Sequence, residues 1–289
     1  MADLVAAFLS EHELRMEWWP WGRALLAAFL SGREALSVAM ATSSEAAMEK
    51  VPSFGVLHHL TERAAEHIAG AIVCFATKNA ASAEVGARTS FEVGVNVRYI
   101  VKGDRNSRVV AWIKHYVMQD EKQITEWEKA LGQLSPSERE IGTPRIGVRR
   151  RVHALRRSWL SATEAEFAQV GPLNVNEPWP SIINRFALIG EAVAYRTTYA
   201  RLSSQTHADA EDTLSYIFLS SYGDGPALQQ MAEENIAFRQ YLIGYSTHFY
   251  LETLQQYCDV FSLKAPPALQ DAVDAALWSM REVADQWNW

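Results

Sequence analysis

Arginine, tyrosine, serine, histidine and three acids crowd into residues 195–212, YRTTYARLSSQTHADAED, within an otherwise apolar, Ala-rich chain. A histidine titrates near neutral pH and can carry a proton, an arginine can hold a phosphate, and serine or tyrosine hydroxyls can donate to a developing oxyanion. On one continuous helix Arg196, Ser203 and His207 share a stripe, with Tyr195, Tyr199 and Leu202 on the adjoining one. Arg201 lies about 120° from His207 on such a helix, so the two meet only where the helix ends near Ser203. The SSQT run favours that end, because Ser and Thr compete with the helical backbone for hydrogen bonds. Thr206 with Asp209, or Asp209 with Asp212, would then cap the next helix, where acids suit an N-terminus. Local structure thus explains the acids and leaves His207 unexplained. The expectation is that Arg201 or Arg196 lies close to His207 across a break near Ser203, in a groove that solvent can reach.

Other strings offer competing chemistry. HHLTERAAEH (58–67) places His58, His59, Glu62 and Glu66 near one helical face. A di-iron bundle would need Glu-x-x-His pairs, and no histidine of this chain has a Glu three positions before it. HExxH and CxxC are absent as well, so a polar helix face is the preferred reading and no metal is expected. RIGVRRRVHALRR (145–157) carries six arginines and one histidine. Arg149, His153 and Arg156 fall toward one side of a helix, and Val148, Val152 and Leu155 toward the other. Arg149, Arg150 and Arg156 could sit on RNA phosphates or pair with the protein's own carboxylates. WWPW (18–21) and the terminal WNW read as clamps on a core. No Gly-rich phosphate loop and no GxSxG is present, and no cofactor is expected.

The elements that must position these residues are helices. The chain has 289 residues, 48% hydrophobic and 21% charged, with only 15 Gly and 10 Pro. Long unbroken helices suit such a composition. Apolar periodicity predicts helices over 3–17, 23–48, 54–79, 83–102, 106–131, 148–168, 181–201, 209–221, 226–262 and 268–287. The stretch 83–102 also alternates like a strand through Val93, Val95, Val97, Tyr99 and Val101, but Phe91, Val95 and Tyr99 fit helical spacing and no turn signal precedes them. SPSE (135–138) reads as an N-cap with a capping box, and Gly142 with Pro144 as an interruption soon after. The expected fold is an all-α bundle of about nine to ten helices, with N-terminal helices over 1–80 and a helical core over 81–289, together one compact domain. The net charge of −7 excludes global steering toward nucleic acid. The early Asp and the missing basic n-region argue against a secretory signal, and the longest apolar run is about half a membrane span. Two isolated cysteines then read as reduced thiols, and the chain as soluble and cytoplasmic, without a membrane partner.

PWPSIINRFALIGEAVAYRTTYARLSSQTHAD, with ARTSFEVGVNVRYI upstream, resembles an uncharacterised bacterial all-helical family, a domain of unknown function. Its members carry a Y-R-x-L-S-x-x-x-H type signature and an upstream R-x-x-x-E helix. The matching positions here are Tyr199, Arg201, Leu202, Ser203, His207, Arg88 and Glu92, with Ala200 standing between the Tyr and the Arg. The resemblance covers roughly residues 85–220 and implies a helical fold with no established activity. The chain also looks like the HEPN superfamily, helical bundles that often act as toxin or defence ribonucleases, in its Arg201-x5-His207 spacing. That likeness implies a metal-independent ribonuclease in which His207 does acid/base work on the RNA and Arg201 stabilises phosphate charge. Ser203 is a further catalytic candidate, and Arg196, Tyr199, Arg88 and Glu92 are the substrate-binding candidates. A non-enzymatic helical binding or scaffold protein, a small-molecule enzyme in a cleft lined by Glu92, Arg196 and His207, and assembly with a second copy or a partner protein all stay open.

Overall fold

The computed structural model describes residues 4–6, 19–43, 51–202 and 225–287. About 85% of the described residues are helical, with ten helical segments and no strand among them, as the periodicity leads one to expect. The packing forms two compact units, residues 1–101 with 182–289, and residues 102–181.

The larger unit begins its described helices with α1 (Gly22–Thr42), α2 (Ser53–Ala76) and α3 (Ala80–Val101). Helix α1 is long and apolar enough to cross a membrane by length and composition; half of its apolar window is buried inside this unit. Trp19, just before α1, is 1% exposed and meets Phe75 edge-on at 4.8 Å, in keeping with a core clamp. Three residues join α2 to α3, and the two helices pack along each other. The Val93–Val101 alternation is helical because α3 is sandwiched. With α2 and α8 (Pro226–Val260) packed against it, α3 buries residues on more than one side, Phe91, Val95, Val97, Tyr99 and Ile100 among them. Helix α9 (Pro267–Trp287) packs on α1 and α8.

Residues 181–201 do not form the single helix expected of them. Helix α6 (Ile182–Ile189) stops at Gly190, which holds φ +93°, a left-handed conformation that glycine adopts at little cost. The chain restarts as α7 (Ala192–Ala194) and passes directly into a π-helical turn at Tyr195–Tyr199. The break therefore falls at Gly190. The break expected near Ser203, the helix expected over 209–221 and most of that over 3–17 lie outside the described residues.

The smaller unit is a helical hairpin of α4 (Arg105–Gly132) and α5 (Pro136–Val170). Asp104 caps α4, accepting from the Ser107 amide. Ser135 and Glu138 form the expected capping box on α5. Gly142 and Pro144, expected to interrupt, lie inside one continuous 35-residue helix. Pro144 removes a single backbone bond on an exposed face, where water can take up the freed carbonyl. A Cβ added at Gly142 would meet the tip of the Leu131 side chain at the end of α4, which would have to turn aside.

Candidate functional site

Three of the expected signature residues, Arg88, Glu92 and Tyr199, come together once folded. Arg88 and Glu92 stand one turn apart on α3. Across from them the π turn presents Tyr199, which is 5% exposed. Its hydroxyl donates to Glu92 Oε2 at 3.0 Å and accepts from an Arg88 terminal nitrogen at 3.5 Å. The Arg88 guanidinium also lies 5.5 Å from the centre of the Tyr199 ring. Burial pushes the Tyr199 phenol above its ordinary value, with the Arg88 bond acting against it, so the group stays a neutral donor.

Aromatic packing fixes this tyrosine. Phe186 of α6 touches both Tyr195 and Tyr199, at 5.4 and 5.2 Å, and the two tyrosines stack at 5.5 Å. Phe91 joins them from α3 and meets Phe249 of α8 at 4.3 Å. A π turn carries more residues per turn than an α-helix, so it shifts the facing of whatever follows it. Side-chain relations drawn on a uniform helix therefore do not carry across residues 195–199.

Arg196 is exposed. Arg201 is half-buried, its guanidinium 5.6 Å from the centre of the Phe238 ring on α8. Ser203 and His207 lie outside the described residues, and with them the expected meeting of arginine and histidine.

Several charged residues that pattern reading passed over are built into the same unit. Buried Arg185 of α6 lies in the field of Glu92, Tyr199 and Tyr99, and its burial lowers its affinity for a proton. Arg98, also buried, bonds to Thr253 Oγ1 at 2.9 Å, to the Phe249 carbonyl at 2.8 Å, to Glu252 at 2.8 Å and to Glu191 at 3.4 Å. It thereby ties α3 to α8 and to the residue after the Gly190 break. His248 and Arg98 together hold the Glu252 carboxyl down at about 2. Glu84, 1% exposed, pairs with Arg239 at 2.5 Å. The available signal was a lone charge in an apolar run, as in VGVNVRYIV, because a buried charge demands a partner.

In HHLTERAAEH, Glu62 is gripped by Arg33 through two bonds of 2.5 and 2.7 Å, and Glu66 pairs with Arg63 at 2.5 Å. His58 stacks on Phe54. No group of three metal-ligating side chains is found among the described residues. Cys258 is buried, and burial pushes its thiol up to about 11, away from nucleophilic use.

In the hairpin, the arginines considered for RNA meet the carboxylates of α4. Asp120, its side chain fully buried, takes ion pairs from Arg149 at 2.7 Å and Arg156 at 2.9 Å, and a bond from His153 Nδ1 at 3.0 Å. Burial would raise the Asp120 carboxyl, but His153, Arg156 and Arg149 outweigh it and hold it low. Arg150 bridges Glu121 at 2.5 Å and Glu128 at 2.6 Å, and His153 Nε2 reaches Glu121 at 2.6 Å.

The chain belongs to a family of unknown function, DUF5677, whose model matches residues 54–225 and so takes in Arg88, Glu92, Tyr199 and the whole hairpin. No curated protein and no solved structure matches it.

Proposed function

We propose that this member of DUF5677 is a metal-independent ribonuclease of HEPN type, of the kind used in toxin or phage-defence systems. His207 takes the proton of an RNA 2′-hydroxyl as it attacks the adjacent phosphorus, and a proton is returned to the departing 5′-oxygen. Arg201 and Arg88 stabilise the phosphate charge, Ser203 and Tyr199 supply hydroxyl donors, and Glu92 fixes the Tyr199 hydroxyl. Exposed Arg196 takes the strand beyond the scissile bond. This chemistry needs a proton carrier and charge stabilisation.

The observation that supports the reading is the meeting of Tyr199 with Arg88 and Glu92 across 111 and 107 residues of chain. A carboxylate, a guanidinium and a phenol are thereby held together beside the segment that carries Arg201 and leads to His207. The test is cleavage of a fluorophore–quencher RNA in excess EDTA. Wild type should cut it and leave an analogue with a 2′-deoxy nucleotide at the scissile position intact. His207→Ala should lose at least about 100-fold in rate, the usual scale of acid–base catalysis, with an unchanged melting temperature. Absence of cleavage by wild type, or full activity in His207→Ala, would overturn the proposal.

A second reading, a non-enzymatic helical binding or scaffold protein, draws on a different observation. The Tyr199 hydroxyl is hydrogen-bonded internally and Arg98 braces the same junction through four partners. On that reading Tyr199→Phe costs about 1–3 kcal/mol of stability by leaving its partners unpaired, and no RNA is cut.

A further inference from the structure

Helix α5 departs from the ordinary rule for an amphipathic helix, which buries its apolar stripe. Its basic side, with Arg149, His153 and Arg156, faces the carboxylates of α4. Its apolar stripe is left outside: Ile141 is 62% exposed, Val148 51%, Leu155 71% and Trp159 52%. These four recur at intervals of seven, seven and four, the spacing of a coiled-coil seam, over a length of about 27 Å. Beside the seam, Tyr116 and Trp127 of α4 are also exposed, with Arg156 and Arg149 against their rings at 5.2 and 5.6 Å. Exposed Trp and Tyr set among arginines match the composition of energetic centres in protein interfaces.

We infer that this outward seam is the docking face for an acidic amphipathic helix of a partner protein. Charge selects the occupant. Arg145 and Arg151 flank the seam within about 60° on either side, are exposed, and have no ion pair among the described residues. Residues 102–181 hold 13 Lys and Arg against 10 Asp and Glu, whereas the whole chain carries −7. Two copies laid seam to seam would bring arginine flanks against arginine flanks, which repel. A nucleic acid would satisfy the arginines but leave Ile141, Val148 and Leu155 without apolar partners. A helix with Leu or Ile at its seam and Glu beside it satisfies both.

The inference is independent of the ribonuclease reading and its test needs no activity. The probe is a 28-residue synthetic helix with Leu at the seam and Glu on both flanks, labelled for fluorescence anisotropy, beside the same peptide with Lys flanks. The Glu peptide should bind the full chain at least about 10-fold more tightly than the Lys peptide, with the preference shrinking as salt rises. Val148→Glu with Leu155→Glu should weaken it at least about 10-fold while the melting temperature holds. Arg145→Glu with Arg151→Glu should invert the preference between the two peptides. Equal binding of both peptides, or of neither, overturns the inference. A dimer in sedimentation that Leu155→Glu disperses gives the face to a second copy instead. Binding of a 20-nucleotide single-stranded RNA that survives the Val148/Leu155 change but not the Arg145/Arg151 change gives it to nucleic acid. Either result overturns the inference.

Discussion

The larger unit and the hairpin solve the same problem with opposite materials. Around Phe91 the larger unit builds an aromatic core, with Phe186, Phe249, Tyr199 and Tyr245 in contact with one ring. Its buried charges enter as matched guests, Arg98 with four partners and Glu84 with Arg239. Along the 35 residues of α5 only His153, Thr163 and Phe167 are buried, and the link to α4 centres on one carboxylate, Asp120, held by two arginines and a histidine. Aromatic packing tolerates loss of shape gradually. A buried carboxylate among cations fails more abruptly when its charge is removed, because buried His153 and the half-buried Arg149 and Arg156 lose one shared partner together.

The largest effect should follow from Asp120→Ala, which leaves Arg149, Arg156 and His153 without their shared partner. A loss of about 1–3 kcal/mol is expected, and native-state hydrogen exchange should place it in the amides of residues 105–170. Exchange that accelerates equally in α3 and α8 would erase the distinction between the two regions. Phe249→Leu in the larger unit should cost about 1–2 kcal/mol, with the affected amides in α3 and α8 and the hairpin untouched.

Acid separates the two regions less strongly but in a readable way. The Glu252 carboxyl, held at about 2 in the folded protein, returns to about 4.3 on unfolding. Its contribution is therefore complete above the unfolded value and is lost as pH falls from there toward 2. Asp120 is likewise depressed, so the hairpin loses stability in the same direction. Glu252→Gln should flatten the acid limb of a melting curve followed by a probe in α8, and leave a probe in the hairpin unchanged. The smallest effect belongs to Leu155→Glu, within about 0.5 kcal/mol of wild type, because that side chain is mostly in water. A larger loss would mean that the seam is covered within the chain itself.

Helix content was legible because an apolar period of 3.6 survives in almost every segment, and the capping box at Ser135 was written out in four residues. The family resemblance set Arg88, Glu92 and Tyr199 in one signature, but their contact was not legible, since no local pattern joins positions more than a hundred residues apart. The Gly190 break was open to a reader who weighed IGEA as a stop signal. The interruption expected at Gly142 and Pro144 failed because Pro144 forfeits a single backbone bond on an exposed face within a helix of 35 residues.

By itself, then, the sequence determined that the chain is helical, where most helices begin and end, and which charges had to find partners. Those are short-range consequences of backbone sterics, caps and periodic burial. Tertiary structure decided the rest: that Tyr199 meets Glu92 through a π turn, that Arg98 knots three elements together, and that α5 turns Arg149 and Arg156 toward α4 and shows its leucine. The last reversal has a definite cause. Which side of an amphipathic helix is buried depends on what faces it, and α4 offers α5 a carboxylate where an ordinary partner would offer a methyl group.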